Sequence, residues 1–551
     1  MSSMRSRQIT SRRAALVAVS LLATGALVVG CDSGTETSSG ATSSAATPAE
    51  ESAQKSGQPD NPNEDVATAL PDNAVENAVG KLDGLVDSMM NDTKIPGMAV
   101  AVVHGGKTVY AKGFGVAEVG TDRKVDTDTV FPLASMSKSI GSTVLAKLVT
   151  DNVIAWDTPV TANLPQFALA DPWVTQHVTI ADMYTHRSGL PGHAGDKLED
   201  MGYSREQVLA RLRYMPLEPY RITYNYTNFG ITAAAESAAR KAGTDWETLS
   251  QNVIYGPLGM TSTSSRFGDF ETRTDRVVGH VKVDGAWVKT PAQRDPDAQA
   301  PAGGVSSSVN DVTHWLTMVL AGGKYNGTQI VGTDELTEAT TPQIISSPAS
   351  SPDARAGFYG YGFNTSVTAA GRTTFSHAGA FSMGAGTNFL VMPSADVAIV
   401  VLTNASPVGA ADALCGEFAD LVQFSEVRHD WRTLYGNAYA AMAKPSGSLV
   451  GEQPPANPAP AQPLSAYEGT YQNQLYGAAT VSDDDGKLVL AMGPNGVTKH
   501  ELTHWDGNTF TFTMRNENAE EGTISKVTFT GPRMTIEYYA DDESDGVFTK
   551  S

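Results

Sequence analysis

A proline-rich stretch, KPSGSLVGEQPPANPAPAQP, divides the chain of 551 residues into two unequal parts. Proline fixes φ and lacks a backbone N–H, so a stretch this rich in proline favours an extended linker over a helix or a central strand. We therefore predict a linker at residues 444–463, between a domain at 71–443 and a second domain at 464–551. A chain of this length can bury at least two hydrophobic cores.

The larger part combines strand-like and helix-like periodicity. GMAVAVVHGGKTVYAKGFG is typical of a hairpin with Gly105 and Gly106 at the turn, and TNFLVMP and DVAIVVLTN are apolar strand runs near 390–404. Helical spacing dominates most of the sequence between them. This order predicts an α/β domain whose sheet is built from both ends of the sequence, with a helical region inserted between.

The smaller part has a different pattern. Segments such as YEGTYQN, KLVLAM, TFTFTM and RMTIEYY alternate apolar and polar residues and are separated by turn residues. This spacing predicts a small all-β barrel domain of about ninety residues.

The N-terminus has the features of an export signal. Arginines and then the apolar run AALVAVSLLATGALVVG precede Cys31, and the run is short and rich in small residues for a spanning helix. LVVGC resembles a bacterial lipobox, and SRRAAL resembles a twin-arginine signal without its usual phenylalanine. We expect a signal peptide at 1–30, lipidation of Cys31, a disordered tether at 31–70 and a location on the outer face of the cytoplasmic membrane or cell envelope. The alternative is an uncleaved membrane anchor.

Charge and cysteine content exclude some classes of partner. The formal net charge of −21 disfavours binding to nucleic acid phosphates. The chain has only two cysteines, so lipidation of Cys31 would leave Cys415 unpaired, and we expect no intramolecular disulfide. No Cys/His spacing suggests a metal site, and we expect no cofactor.

The stretch FPLASMSKSIG places serines around one lysine. Residues three apart on a helix face each other, whereas adjacent residues do not. Lys138 can therefore serve Ser135, while Ser137 and Ser139 point elsewhere. The pair has the chemistry of a nucleophile and its activating amine. The alternative is a helix-capping serine beside a surface lysine.

The SxxK pattern is weak alone, because it recurs at Ser52–Lys55 in the predicted tether. Two further patterns follow it in order. YTN occurs at Tyr226–Asn228, in a turn that opens a helix, and HAG occurs at His377–Gly379, just before the apolar strands. The order and the contexts make Ser135 a candidate nucleophile.

Together these segments resemble the penicillin-recognising serine hydrolases: class C β-lactamases, serine DD-peptidases, D-aminopeptidases and related esterases. The resemblance runs from about residue 75 to 440 and includes FPLASMSKSI, YTHRSGLPG, YTNFGITAAAE and PAGGVSSSVNDVTHW. It implies a mainly antiparallel sheet flanked by helices plus an all-helical region, with the active site between them.

By position, the resemblance makes Ser135 the nucleophile and Lys138 its partner. It makes Tyr226 a general base acting as a phenolate, which a nearby positive charge would have to stabilise, and Asn228 a substrate contact. Whether the lysine or the tyrosine takes the first proton stays open. The N–H groups of Ser135 and Ala380 would form the oxyanion hole.

The third motif departs from the common Lys-Thr-Gly of the family. His377 and Gly379 keep the outer positions as substrate-binding residues, but Ala378 lacks a hydroxyl that helps to bind a substrate carboxylate in β-lactamases and carboxypeptidases. This favours an esterase or a D-amino-acid peptidase or aminopeptidase. If the charge of His377 matters, activity should change between about pH 5 and 8.

The resemblance leaves several functions open. The first is a lipid-anchored serine hydrolase acting on a small-molecule or peptide substrate, which could be derived from peptidoglycan. The alternatives are a β-lactamase or DD-carboxypeptidase, and a penicillin-binding sensor or cell-wall binding protein without turnover. The C-terminal domain resembles the lipocalin-like barrels of D-aminopeptidases, so residues 464–551 could restrict access to the site or serve only stability.

Overall fold

The computed structural model describes residues 62–541 and 546–551. The predicted signal peptide, the Cys31 lipidation site and the predicted tether up to residue 61 lie outside the described residues. In the described part of the chain, the helices are too short or too polar to cross a membrane.

The strands of the first domain combine one large sheet with three small pairs. They are β1 Gly97–His104, β2 Lys107–Gly115, β3 Phe131–Pro132, β4 His280–Val283, β5 Ala286–Lys289, β6 Ser306–Ser307, β7 Lys324–Tyr325, β8 Thr328–Gln329, β9 Ile344–Ser347, β10 Gly357–Tyr359, β11 Asn364–Val367, β12 Thr373–Phe381, β13 Ala385–Met392 and β14 Val397–Thr403.

Eight strands of the described residues form the large antiparallel sheet, in the order β2-β1-β14-β13-β12-β11-β10-β9. The N-terminal hairpin pairs directly with the last strand of the domain, with Val100 opposite Val401. The prediction of a sheet built from both ends of the sequence is therefore confirmed. Gly105 and Gly106 have φ values of 60° and 71° at the hairpin turn, where glycine is favoured.

The first domain also contains α-helices, most of them between β2 and β9. They are α1 Ala74–Val79, α2 Leu82–Thr93, α3 Ser137–Thr150, α4 Pro172–His177, α5 Ile180–Tyr184, α6 Asp196–Asp200, α7 Arg205–Arg211, α8 Asn228–Ala242, α9 Trp246–Ser250, α10 Gly256–Leu258, α11 Phe267–Thr272, α12 Ala300–Gly303, α13 Val309–Leu320, α14 Thr333–Thr340, α15 Ala410–Phe424 and α16 Trp431–Met442.

The large sheet separates two hydrophobic layers. Alternate residues of β1 enter different cores: Ala99 packs on the side of α3 and α13, and Met98 packs on the side of α2 and α15. Both β1 and β14 are almost entirely buried, which explains their continuous apolar runs. The helix α3 therefore lies in the core on one side of this sheet, together with α13.

The C-terminal domain is a closed antiparallel barrel, as predicted from its alternating pattern. Its strands are β15 Gly469–Asn473, β16 Gly477–Asp484, β17 Lys487–Met492, β18 Thr498–Asp506, β19 Thr509–Asn516, β20 Ala519–Thr530, β21 Arg533–Ile536 and β22 Val547–Lys550.

The segment between the domains lies along the barrel. Ile524 N donates to Ser446 O at 3.1 Å, and Ala459 N donates to Asp506 Oδ1 at 2.6 Å. The barrel packs on the helical region of the first domain, where Tyr203 Oη donates to Tyr476 O at 2.9 Å. Hydrophobic contacts continue from one domain into the other without a break.

Candidate active site

Ser135 lies in a single 3₁₀ turn, Ala134–Met136, which leads directly into α3. Ala134 has a φ of 48°, a left-handed conformation that costs energy for a residue with a Cβ. Ser137 stabilises this turn, because its hydroxyl donates to Ala134 O at 2.6 Å and accepts from Val305 N at 3.0 Å. Ser139 is directed elsewhere and donates to Gly362 O. Ser135 keeps a partly exposed side chain at the turn.

Lys138 is completely buried, and its Nζ lies 3.1 Å from Ser135 Oγ. The same nitrogen donates to Asn228 Oδ1 at 2.7 Å and to Ala302 O at 2.9 Å. Burial lowers the pKa of Lys138 to about 7, against an upward contribution from the charge of Asp196. A neutral amine has two hydrogens and one lone pair. When the amine is neutral, its two hydrogens can go to Asn228 Oδ1 and Ala302 O, which leaves the lone pair for Ser135 Oγ.

Asp196 holds this arrangement from behind, and sequence reasoning missed it. Its Oδ2 accepts from Asn228 Nδ2 at 3.0 Å, which orients the amide so that Oδ1 faces Lys138. His193 Nδ1 lies 3.0 Å from the same carboxylate oxygen. Asp196 is 3% exposed and begins α6. No local motif marks this position, because its partners lie in other segments of the chain.

Tyr226 lies in the turn before α8, between two histidines that shape the turn. His186 Nδ1 accepts from Thr227 N at 3.1 Å, and His193 N donates to Tyr226 O at 2.8 Å. The phenol is hydrogen bonded to Ser135, and its ring lies 4.6 Å from Lys138 Nζ. Burial raises the pKa of Tyr226, so the group is a neutral phenol at neutral pH. This corrects the expectation of a phenolate, because burial outweighs the hydrogen bond with Ser135, which acts to lower the pKa.

His377 is 4% exposed on β12, and its ring lies 6.3 Å from that of Tyr226. Its Nδ1 donates to Ala378 O at 2.6 Å, and its Nε2 accepts from Tyr359 Oη at 2.9 Å. Burial, with the nearby charge of Lys138, lowers the pKa of His377 to about 3. The expected titration of His377 between pH 5 and 8 is therefore wrong, and the ring is neutral throughout that range.

Gly379 allows β12 to lie against the Ser135 turn. A Cβ at Gly379 would clash with Leu133 O and Thr387 Oγ1 and would come within 3.2 Å of Ser135 N. Ala380 follows on the same strand, partly exposed. The paired register of β11 with β12 stops at Ser376, so residues 377–381 present an open backbone edge beside Ser135 among the described strands.

Ala378 lies on the opposite face of β12 from its two neighbours, because adjacent strand residues face opposite sides. It lines a cavity of about 130 Å³ that is also bordered by Asp412 and Cys415 of α15. A hydroxyl at this position would face that cavity. The missing hydroxyl at position 378 therefore does not by itself indicate whether the substrate carries a carboxylate.

The barrel contributes to the same site through the hairpin between β19 and β20. Glu517 Oε1 accepts from Ser382 N at 2.9 Å, and Oε2 accepts from Met383 N at 3.4 Å. These residues form the turn directly after the Ala380 segment. Asn518 Nδ2 donates to Asp200 Oδ2 at 2.8 Å, at the end of α6. The hairpin therefore links the turn after Ala380 to the end of α6, which the sequence did not reveal.

Arg294 lies among these residues, with a side chain that is only 9% exposed. Its guanidinium contacts Glu199 Oε2 at 2.7 Å, Asp200 Oδ1 at 3.9 Å and Glu517 Oε2 at 3.9 Å. Burial raises the pKa of Glu199 to about 7 and that of Glu517 to about 8, against the opposing charge of Arg294. These groups form a compact cluster between the two domains.

The described geometry agrees with the comparisons with known proteins. The Beta-lactamase family model matches residues 82–424, and the model Domain of unknown function (DUF3471) matches 453–543. Unguisins hydrolase of Aspergillus violaceofuscus is 27% identical over 454 residues, which cover 76% of this chain and 80% of that protein. D-alanyl-D-alanine-carboxypeptidase/endopeptidase AmpH of Escherichia coli is 25% identical over 268 residues, covering 47% of this chain and 66% of that protein.

Solved structures show the same fold. The octameric penicillin-binding protein homologue from Pyrococcus abyssi has a TM-score of 0.55 at 19% identity, covering 83% of this chain and 98% of that one. A class C beta lactamase from Rhodobacter sphaeroides has a TM-score of 0.50 at 22% identity, covering 63% of this chain and 98% of that one. Since the family model spans more than half of the sequence, the chain belongs to the Beta-lactamase family, whose members are generally serine hydrolases.

Proposed function

We propose that this protein is a serine hydrolase that forms an acyl-enzyme on Ser135 and then hydrolyses it. The observation that carries the proposal is Lys138, a buried amine with a pKa of about 7 whose Nζ lies 3.1 Å from Ser135 Oγ. A base is most effective when its pKa lies near the working pH. A lysine that served only structure would have no need of this environment.

The proposed reaction begins when Lys138 accepts the proton of Ser135 and Oγ attacks the substrate carbonyl. The N–H groups of Ser135 and Ala380 would stabilise the resulting oxyanion. The neutral phenol of Tyr226, hydrogen bonded to Ser135, donates a proton to the departing oxygen or nitrogen and regains one from the Lys138 side. Water then attacks the acyl ester, with proton transfer in the reverse direction.

The substrate class we propose is an ester or a D-amino-acid peptide bond, including that of an aminopeptidase substrate. An unguisins hydrolase and a D-alanyl-D-alanine-carboxypeptidase/endopeptidase are among the similar proteins, and these names support hydrolysis of acyl bonds. A β-lactamase or DD-carboxypeptidase remains the second candidate, supported by the fold. We also propose export and lipid anchoring through Cys31, supported by the LVVGC segment.

Two substrates test the proposal: a fluorescent penicillin and p-nitrophenyl butyrate. We expect ester turnover in the wild type and a loss of about 10³-fold or more in Ser135→Ala. Ser482→Ala is the matched control, since this exposed serine lies on β16 of the barrel. A stable penicillin adduct on Ser135 without turnover of either compound would favour the penicillin-binding sensor. Wild-type turnover in Ser135→Ala would disprove the assignment.

A further inference from the structure

An open cavity of about 320 Å³ on the first domain is lined by an unusual excess of positive charge. The described residues around it include four cationic side chains and a single carboxylate, that of Glu118. The cationic side chains are those of Arg123, Arg273, Arg276 and Lys289. The whole chain has 39 lysines and arginines against 60 acidic residues, so the local excess runs against the overall composition.

Backbone pairing brings these residues together from separate segments. Ala117 N donates to Arg123 O at 2.8 Å, and Val278 N donates to Ala117 O at 2.9 Å. Arg276 pairs with Val130 in a parallel bridge. Lys289 is the last residue of β5. Gln293, four residues later, also lines the cavity, and its side-chain oxygen accepts a hydrogen bond from Gly279 N at 3.3 Å. The cationic groups therefore lie on a defined framework.

The single carboxylate that lines the cavity, that of Glu118, already pairs with two of the four cationic side chains. Glu118 accepts from Arg123 Nη1 at 3.3 Å and from Lys289 Nζ at 3.0 Å. A second acid of the segment, Asp275, is hydrogen bonded to Thr129. The charges of the remaining two cationic groups are therefore not matched by the acid that lines the cavity.

The hydrogen bonds of Arg273 and Arg276 go to neutral backbone oxygens. The charge of Arg273 also acts on the Asp311 carboxylate, and the Arg276 guanidinium lies 5.3 Å from the centre of the Phe270 ring. Arg276 Nε donates to Glu271 O at 3.1 Å, and Arg273 Nη2 donates to Thr261 O at 3.4 Å. In residues 62–541 and 546–551, neither guanidinium lies within ion-pair distance of a carboxylate, and the buried Nε of Arg273 has no hydrogen-bond acceptor. Guanidinium groups bind phosphate oxygens through two parallel N–H groups. The cavity thus has unused donors of this kind.

We propose that this cavity is a binding site for a multivalent oxyanion, a phosphate-bearing ligand with two or more negative charges. The site is separate from Ser135 and does not depend on the proposed hydrolysis. The phosphate can belong to a free polyphosphate or to a phosphodiester polymer, because both present the same oxygens to Arg273 and Arg276. Such a site would hold the protein next to an anionic polymer despite its net charge of −21.

Isothermal titration of the purified chain with tripolyphosphate, with inorganic phosphate and with poly(glycerol phosphate) tests this site. We expect tripolyphosphate or the polymer to bind more tightly than inorganic phosphate, with an affinity that falls as salt is raised. The double variant Arg273→Ala/Arg276→Ala should bind at least about tenfold more weakly. Arg240→Ala/Arg533→Ala is the control, since it removes the same charge from exposed positions elsewhere.

The outcomes separate the two sources of phosphate. Binding of tripolyphosphate alone indicates a free polyphosphate ligand, and binding of the polymer indicates a phosphodiester. Unfolding temperatures and p-nitrophenyl butyrate turnover should match the wild type in both double variants. Absence of binding by all three probes, or equal binding by the wild type and Arg273→Ala/Arg276→Ala, would overturn the proposal.

Discussion

Lys138 and Arg294 are both cationic residues with little or no exposure to solvent, but their surroundings are opposite. Lys138 Nζ contacts only neutral oxygens, those of Ser135, Asn228 and Ala302. Arg294 contacts the carboxylates of Glu199, Asp200 and Glu517. Burial lowers the pKa of Lys138 to about 7, whereas the surrounding acids keep the pKa of Arg294 raised despite its burial.

The difference shows that a buried cation can have two different roles in one protein. A lysine without a direct carboxylate partner can lose its proton near neutral pH, which a base must do. An arginine stays charged at any physiological pH and can hold several carboxylates together. We therefore expect Lys138 to serve the reaction and Arg294 to serve the junction of the two domains.

The largest expected effect is on catalysis, from Lys138→Met. Loss of the base should lower kcat for p-nitrophenyl butyrate by about 10²–10⁴-fold. Lys147→Met is the matched control on the same helix, because Lys147 is paired with Asp151 at the surface, and it should retain wild-type activity. Equal activity in the two variants would show that Lys138 is not the base.

The same variant has a signature in stability. The pKa of Lys138 is lower in the folded protein than in the unfolded chain, so the unfolded chain binds the extra proton between about pH 7 and its ordinary value of 10.5. The contribution of Lys138 to the free energy of unfolding should therefore increase as pH rises through this range. Denaturant unfolding of wild type and Lys138→Met at pH 7 and pH 10 should show the gain only in the wild type.

Arg294→Met should act on folding more than on chemistry. Removing the arginine leaves the acids of the cluster buried without their shared cation, a change that costs about 3–5 kcal/mol in comparable sites. Urea unfolding measures this loss, with the exposed Arg533→Met expected within about 0.5 kcal/mol of wild type. An unchanged free energy of unfolding in Arg294→Met would mean that the acids of the cluster are uncharged and need no cationic partner.

Glu517 tests whether the barrel supports the reaction. Glu517→Ala removes the acceptor for Ser382 N and Met383 N and frees the turn after Ala380, so we expect kcat to fall by about 10- to 10²-fold. Glu517→Gln keeps one oxygen acceptor and should recover most of the rate. Exposed Glu521→Gln is the control on the same hairpin. A similar rate in Glu517→Ala and the wild type would limit the hairpin to stability.

The smallest expected effect is a shift in pH dependence from Asp196→Asn. The charge of Asp196 raises the pKa of Lys138, so its removal should lower that pKa below about 7. The acid limb of kcat/KM should then move to lower pH, while the exposed Asp151→Asn leaves it in place. An acid limb that is unchanged or moves upward in Asp196→Asn would contradict this coupling.

Local patterns predicted a large share of the architecture. The hairpin pattern of β1 and β2 and the apolar runs of β13 and β14 indicated a sheet with both ends of the domain in it, and alternation after residue 464 indicated the barrel. These predictions succeeded because periodicity depends only on which faces of a strand or helix are covered. The segment at 444–463 was predicted as a linker, and its hydrogen bonds to the barrel depend on distant residues.

By itself, the sequence determined that Ser135 and Lys138 would meet, because helical geometry brings residues three apart onto one face. Only the tertiary structure decided the protonation states of the groups around Ser135, and so which of them can act as a base. The pKa values of Lys138, Tyr226 and His377 depend on burial and on charges from distant segments, and these values corrected the expected phenolate and the expected histidine titration. Local spacing carries no information on such long-range surroundings, since desolvation arises from every chain segment that packs around a group.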